Sequence, residues 1–205
     1  MSLTLTIVRH GDTFMGSEPA RRIGARTDLP LVASGEAQAR ALGRVFARDT
    51  FDRVLVSPLR RTQRTAALML EGIAHPAIET AAWLAEIDHG PDENRSEEAV
   101  LARIGAAALA RWNDALVAPP GWSVDAEARI AAWRTLFAQA QGHVLLVTSA
   151  GAARFALAAD GRLAEQARAL PSRKLRTGAW GRIVVADGQG RIAAWDRRPD
   201  TGDGN

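Results

Sequence analysis

Arg9-His10-Gly11 is the tripeptide in this sequence best suited to covalent chemistry. An imidazole can attack phosphorus and carry the phosphoryl group as a covalent intermediate. An adjacent guanidinium binds phosphate oxygens in a forked geometry that lysine cannot copy. A glycine beside them lets the backbone come close to a ligand. The bland alternative is a loop histidine next to a surface arginine, and for an isolated tripeptide it is the commoner meaning. The setting must decide. Two other polar clusters share that setting, because Ser57 to Arg64 and Thr148-Ser149 also follow apolar runs directly.

Those runs read as strands: Leu3 to Val8, Arg53 to Val56 and Val144 to Val147, the last uniformly apolar as buried parallel strands are. Helical patterns lie between them. Ser34 is placed to cap a helix with Leu42, Val45 and Phe46 on one face. Arg60 to Leu70 forms a second helix, with Gly72 just beyond its end. Ser96 is placed to cap an Ala-rich helix through Leu116, stopped by Pro119-Pro120. Ser123 is placed to cap another, striped by Ile130, Trp133, Leu136 and Phe137 and ended by Gly142. A helix follows Gly151. Arg9 to Leu31 reads as loop and Ile78 to Gly90 as irregular. Ile183 to Val185 and Ile192 to Trp195 form a closing hairpin, and Arg197 to Asn205 a loose polar tail. This alternation predicts one domain over residues 1–205, a three-layer α/β/α sandwich with a mostly parallel central sheet. Ligands of such sheets sit at the carboxyl ends of the strands, where the three polar clusters converge.

Composition narrows the chemistry. A chain of 205 residues with 47% hydrophobic and 24% charged residues can build a sizeable single core. Zero cysteines exclude disulfides, thiolate metal sites and cysteine nucleophiles together. The pI of 10.7 does not signal nucleic acid, since the net charge is only +3. Lys174 is the one lysine among 26 basic residues and there is no tyrosine, so almost nothing titrates between histidine and arginine. The arginines are interleaved with acids along the chain, which argues against a nucleic-acid partner. Met1 to Thr6 shows no charged region followed by an apolar one, and no 18-residue apolar run exists, so a cytoplasmic protein with no membrane partner is expected. No feature sets an oligomeric state.

Ile7-Val8-Arg9-His10-Gly11-Asp12-Thr13 resembles the nucleophile motif of the histidine phosphatase (phosphoglycerate mutase-like) superfamily, usually Arg-His-Gly-Glu-Thr. Thr27-Asp28-Leu29-Pro30-Leu31, with Gly35, Gln38, Ala39 and Leu42, resembles its next block. Ser57 to Ala66 is similar to the block carrying a second phosphate-binding arginine, which falls on Arg61. Leu84-Ala85-Glu86-Ile87-Asp88-His89-Gly90 is similar to the block with a proton-donating glutamate, which falls on Glu86, especially as found in the bisphosphatase half of the fructose-2,6-bisphosphate enzymes. Four blocks in the right order over roughly the first 90 residues make the resemblance specific. It implies a phosphoglycerate mutase-like fold and hydrolysis of phosphate monoesters through phosphohistidine on His10. Arg9, Arg61, Ser149, Gly11 and Thr13 would surround the substrate and Glu86 would move the proton. No metal or cofactor is implied, and the partner is a small phosphorylated substrate. From spacing alone Arg60 or Arg64 could replace Arg61, and Asp88 or Glu93 could replace Glu86.

The pattern also breaks. Where the resemblance leads to a second histidine, in a Ser-His-Gly-Gly setting after the third strand, Thr148-Ser149-Ala150-Gly151 stands instead. A serine can donate a hydrogen bond to phosphate but supplies no charge, and losing one charged hydrogen bond is worth about 10- to 100-fold in rate. His89 or His143 could substitute, with His143 placed at the wrong end of its strand. A family asparagine is Gly16 here, and a second candidate acid is absent from Gly121-Trp122-Ser123. These departures leave three readings: a slowed phosphatase, a degenerate binder of phosphorylated ligands, and a phosphoglycerate mutase. The segment 92–123 is expected to form a helical cap, with Trp122 in the core or flanking the pocket. Arg95, Arg103 and Arg111, eight residues apart, fall near one helix face as a solvated stripe or as contacts to an anionic substrate.

Overall fold

The computed structural model describes residues 2–199. Its eight strands are β1 (Ser2–Arg9), β2 (Arg21–Arg22), β3 (Arg53–Val56), β4 (Ile78–Thr80), β5 (Arg95–Ser96), β6 (Gly142–Thr148), β7 (Trp180–Ala186) and β8 (Gln189–Arg197). The α-helices are α1 (Ala33–Val45), α2 (Arg60–Met69), α3 (Glu97–Ala115), α4 (Ala126–Gln139), α5 (Ala150–Ala158) and α6 (Gly161–Gln166). Six strands form one sheet in the order β4-β3-β6-β1-β7-β8. β4, β3, β6 and β1 run parallel. β7 and β8 close the sheet antiparallel. β2 and β5 pair separately, joining the loop after β1 to the start of α3.

The period-two alternation of strand side chains divides the core between the two faces. Leu3, Leu5 and Ile7 of β1 join Val144 and Leu146 of β6 against Phe155, Trp112 and Trp133, from α5, α3 and α4. Val8, Val54, Val56, Leu145 and Val147 point the other way, onto Leu42 and Phe46 of α1 and its cap and onto Ala66 and Met69 of α2. The result is the expected α/β/α arrangement of layers. Trp112 and Trp122 both lie in the first cluster, so the segment 92–123 is anchored in the main core at these two rings.

Several local expectations need correction. Ser34 does not cap α1; Val32 holds that position without a side-chain bond, and Ser34 Oγ donates instead to Asp12 at 3.3 Å. Val45 is 44% exposed, so of the three expected residues Leu42 and Phe46 are buried, together with Ala39 and Ala41. Ser123 does not cap α4. Its backbone pairs with Asp88, and Asp125 is the cap, accepting from the Ala128 amide. Ile78 to Thr80, read as irregular, is the parallel edge strand β4; all three residues are exposed, so no burial pattern reveals it. Gly142 opens β6 with φ 73° rather than ending α4, which stops at Gln139. Ser96 caps α3 as expected. Gly105, at φ 78°, breaks that helix internally, so the even spacing of Arg103 and Arg111 on one face is lost. Arg197 belongs to β8. The expected tail from 200 to 205 lies outside the described residues.

Candidate active site

The four parallel strands deliver their carboxyl ends side by side, and the ladder continues past them. The His10 amide donates to the Thr148 carbonyl at 3.0 Å, Ser57 to Val147 at 3.0 Å and Ala81 to Val56 at 2.8 Å. Each polar cluster is thereby fixed in register with its neighbour. Beyond β4 the chain turns through Ala82–Leu84, where the Leu84 carbonyl accepts from Thr148 Oγ1 at 2.6 Å. That bond brings Glu86 to the end of β6.

His10 is 2% exposed. Its Nδ1 lies 2.8 Å from the Gly11 carbonyl, which can only accept, so the ring proton sits on Nδ1. Nε2 is unprotonated, and its lone pair accepts a hydrogen bond from Arg61 Nε at 3.3 Å. Burial, then the charges of Arg9 and Arg61, hold this imidazole well below the usual 6.5 despite the Gly11 bond. The nucleophilic tautomer is therefore the resting one.

Arg61 is fully buried. Thr27 and Gly24 accept from its two terminal nitrogens at 2.9 and 3.1 Å. Asp28 caps α2 from across the loop, accepting from the Arg60 amide at 2.8 Å, because Leu59 at the local cap position has no side-chain acceptor. The Thr27-Asp28 block thus orients both the helix and its arginine. Arg60 is exposed and Arg64 pairs with Glu36, so neither replaces Arg61. Arg9 donates from a terminal nitrogen to Leu175 at 2.8 Å. Its guanidinium is depressed to about 10, by burial first and then by Arg61 and Arg198, against attraction from Glu86 and Asp12.

Glu86 is 6% exposed and accepts from two backbone amides, Ile87 at 2.9 Å and Gly151 at 3.0 Å. Burial raises its pKa, but His89, these two amides and Arg61 together bring it below the ordinary value, so it rests as a carboxylate. Asp88 is held by Arg26 at the rim, and Glu93 accepts from the amides of Gly24 and His89, so both serve the loop rather than the site. Arg129 was not singled out from sequence. From α4 it donates to the carbonyls of Ala85 at 2.7 Å, Trp83 at 3.3 Å and Glu86 at 3.4 Å, clamping the loop that carries the carboxylate. An arginine on an otherwise helical pattern carries no signal of that task.

The glycines have a different reason from the one expected. A Cβ on Gly11 would lie 2.3 Å from the Gly35 carbonyl oxygen, so Gly11 is required by the close passage of α1. A Cβ on Gly151 would lie 2.0 Å from Glu86 Oε1, so that glycine makes room for the carboxylate. Thr13 is buried on the same loop as His10. Ser149 directly follows β6 and occupies the cap position of α5, fully buried, and its hydroxyl has no hydrogen-bond partner among the described residues. His143 bonds Thr6 at 2.8 Å at the amino end of the sheet, away from the cluster. His89 is buried against Trp122, ring centroids 4.6 Å apart. Arg103 is tied to Asp92 and to the Pro120 carbonyl, while Arg95 and Arg111 are exposed.

Strands that end together, a buried histidine with an unprotonated Nε2, the buried Arg61 and the half-buried Arg9 make up one candidate site. Residues 5–198 match the histidine phosphatase superfamily (branch 1), and the chain belongs to that family. Among relatives, it is 37% identical to the uncharacterised phosphatase PhoE of Bacillus subtilis over 73 residues, 36% of this chain and 37% of that one. It is 38% identical to the probable phosphoglycerate mutase GpmB of Klebsiella pneumoniae over 93 residues, 45% of this chain and 42% of that one. The aligned segments thus span less than half of these relatives. Among solved structures, a mycobacterial glucosyl-3-phosphoglycerate phosphatase superposes with a TM-score of 0.78 at 23% identity, covering 96% of this chain and 99% of that one. That likeness concerns the fold. Among the described residues no helix is long and apolar enough to cross a membrane.

Proposed function

We propose that this chain is a phosphomonoesterase acting through a phosphohistidine on His10. The observation that carries the reading is the imidazole itself: Nδ1 donates to Gly11, and the unprotonated Nε2 accepts from Arg61 Nε at 3.3 Å, a bond that an incoming phosphoryl group replaces. His10 Nε2 attacks phosphorus in line, and the bond from phosphorus to the substrate's ester oxygen breaks. Arg9 and Arg61 neutralise the equatorial oxygens, which is charge stabilisation at a preorganised, water-poor site. Glu86 rests ionised, so it takes a proton when the substrate arrives as a monoanion and returns it to the leaving alkoxide. The same carboxylate then removes a proton from water, whose oxygen displaces His10 and releases phosphate. Ser149 donates a hydrogen bond to a phosphoryl oxygen without adding charge. The named relatives include both phosphatases and phosphoglycerate mutases. A mutase must hold its phosphohistidine while the intermediate reorients, and the uncharged Ser149 makes hydrolysis the better-supported outcome.

One observation favours a second reading. The unpartnered hydroxyl of Ser149 leaves the pocket short of a cation, which suits a protein that binds phosphorylated ligands without turning them over. An aryl phosphate assay between about pH 5 and 7.5 separates the two readings, with His10→Ala and Ser149→His beside the wild type. Slow turnover that disappears in His10→Ala and rises roughly 10- to 100-fold in Ser149→His supports the phosphatase. No turnover above the His10→Ala background, even in Ser149→His, leaves the binder.

A further inference from the structure

A proton carrier must stand within hydrogen-bond reach of the oxygen it serves. Yet neither a strand nor an α-helix holds Glu86, which lies between the turns Ala82–Leu84 and Gly90–Asp92. Four consecutive carbonyls, Trp83 to Glu86, are tied from outside this segment. Thr148 Oγ1 donates to Leu84 at 2.6 Å. Arg129 takes the other three: one terminal nitrogen donates to Ala85 at 2.7 Å and to Trp83 at 3.3 Å, the other to Glu86 at 3.4 Å. Beside them a cavity of about 770 Å³ opens to solvent, lined in part by Ala25, Ala85, Glu86, Asp125, Glu127 and Arg129. Packing leaves the segment open on that side, and the guanidinium supplies the support.

Arg129 is half-buried, with its guanidinium over the Phe155 ring at 5.7 Å. Burial lowers its pKa, against attraction from Glu86 and Asp125. Desolvating a cation to hold neutral carbonyls is a costly way to stabilise a fold, which points to a task in the reaction. A planar fork that spans several carbonyls also fixes their spacing, as the point charge of lysine does not. We infer that Arg129 is a positioning residue for proton transfer: through the carbonyls of Trp83, Ala85 and Glu86 it sets where the Glu86 carboxyl stands, and so how much the rate depends on the leaving group. The inference rests on the phosphomonoesterase reading.

In the first step the bond from His10 Nε2 to phosphorus forms, the bond from phosphorus to the ester oxygen breaks, and that oxygen leaves with the proton from Glu86. A nitrophenoxide is a stable anion and leaves without the proton, whereas a methoxyphenoxide is a stronger base and needs it. A displaced Glu86 therefore slows the second ester more than the first. Other charges act on the same carboxylate: His89 on its own segment, Arg9 at the end of β1, Arg61 on α2 and Arg154 on α5. Arg129→Lys keeps the charge and loses the fork, so it separates position from field.

The test is kcat/KM for 4-nitrophenyl phosphate and 4-methoxyphenyl phosphate in the wild type, Arg129→Lys and Arg129→Gln, with melting curves to show that each variant is folded. This constant reports the first step, because the phenol departs before water attacks. Both variants should lose roughly tenfold more rate on the methoxyphenyl ester than on the nitrophenyl ester. An equal loss on the two esters would mean a merely structural arginine, and no loss a bystander; either overturns the inference. So does a wild-type ratio in Arg129→Lys, which would leave charge alone at work. If the wild type hydrolyses neither ester, the phosphatase reading fails, and the hold on Glu86 is read by carbon-13 NMR titration of its carboxyl, assigned with Glu86→Gln. The midpoint should then rise in Arg129→Lys, because a loosened segment parts the carboxylate from the Gly151 amide that favours its charged form. An unchanged midpoint overturns the positioning role.

Discussion

Arginines at the carboxyl edge of the parallel strands and arginines elsewhere on the molecule live under opposite electrostatics. Arg53 meets Glu79 through two parallel hydrogen bonds of 2.9 and 2.7 Å, with both side chains largely in water. Arg64 pairs with Glu36, and Arg176 with Asp196, at the surface as well. At the strand ends Arg61 and Arg154 are buried and Arg9 is half-buried, their guanidiniums are depressed by desolvation, and among the described residues the one carboxylate within ion-pair distance of them is Asp28, 3.8 Å from Arg61. Surface pairs of the first kind contribute about 0.2–1 kcal/mol and are replaceable. Buried cations without counter-charges work against the fold, and their retention points to a ligand that supplies the missing charge. The contrast teaches that the site is organised before its ligand arrives, at the expense of stability.

The largest effect that would sharpen this contrast is expected at Arg61. Arg61→Lys keeps the charge but loses the fork that bridges Thr27, Gly24 and His10. Turnover of an aryl phosphate should drop about 100-fold. A loss below threefold would mean that a point charge suffices there. Next comes Arg9→Met. In phosphate-free buffer its melting temperature should equal or exceed that of the wild type, because an uncompensated buried cation is gone. Stabilisation by saturating phosphate, about 2.7 kcal/mol at a hundred times the dissociation constant, should shrink in the variant. A variant that melts well below the wild type in both buffers would show that the bond to Leu175 dominates and that the contrast is misplaced at this residue.

A smaller effect follows from pH. His10, His89 and His143 all have pKa values lowered from 6.5, each by burial first. Below 6.5 the unfolded chain takes up protons that the folded chain refuses, so stability present above 6.5 is lost as pH falls toward the folded pKa values. Melting curves in a pH series should show this decline, and His10→Gln should flatten part of it. A melting temperature that rises as pH falls from 6.5 to 5.5 would contradict the buried neutral state of these rings. The smallest effect belongs to the surface. Arg53→Ala should change stability by no more than about 1 kcal/mol and leave aryl phosphate turnover untouched, and a larger change would erase the distinction between the two populations.

Much of the site was legible in the one-dimensional pattern because strand ends are marked there. Apolar runs stop abruptly at Arg9, Ser57 and Thr148, and in a parallel sheet those stops share one edge. The α/β alternation and the closing hairpin are equally local in origin. β4 was not legible, since a three-residue edge strand with every residue exposed shows no apolar periodicity, although Ile78 and Thr80 are β-branched. The caps of α1, α2 and α4 were misread or unreadable for a related reason. A serine near a helix start is only a candidate, and the partner that serves the first turn of α2 is Asp28, more than thirty residues away in sequence. Glycine was also ambiguous. Gly11 has the same letter whether a ligand or the backbone of Gly35 comes close, and only the packed chain shows the latter.

Sequence alone determined the residue types that can attack, hold and protonate a phosphoryl group, and their order at the ends of apolar runs. Composition also determined that neither thiol chemistry nor disulfides enter. Tertiary structure decided which of Arg60, Arg61 and Arg64 turns inward, which of Glu86, Asp88 and Glu93 meets the histidine's edge of the sheet, and which ring nitrogen of His10 carries the proton. The physical reason is common to all of these: chemical identity is a property of one residue, whereas burial, tautomer and uncompensated charge are properties of what surrounds it.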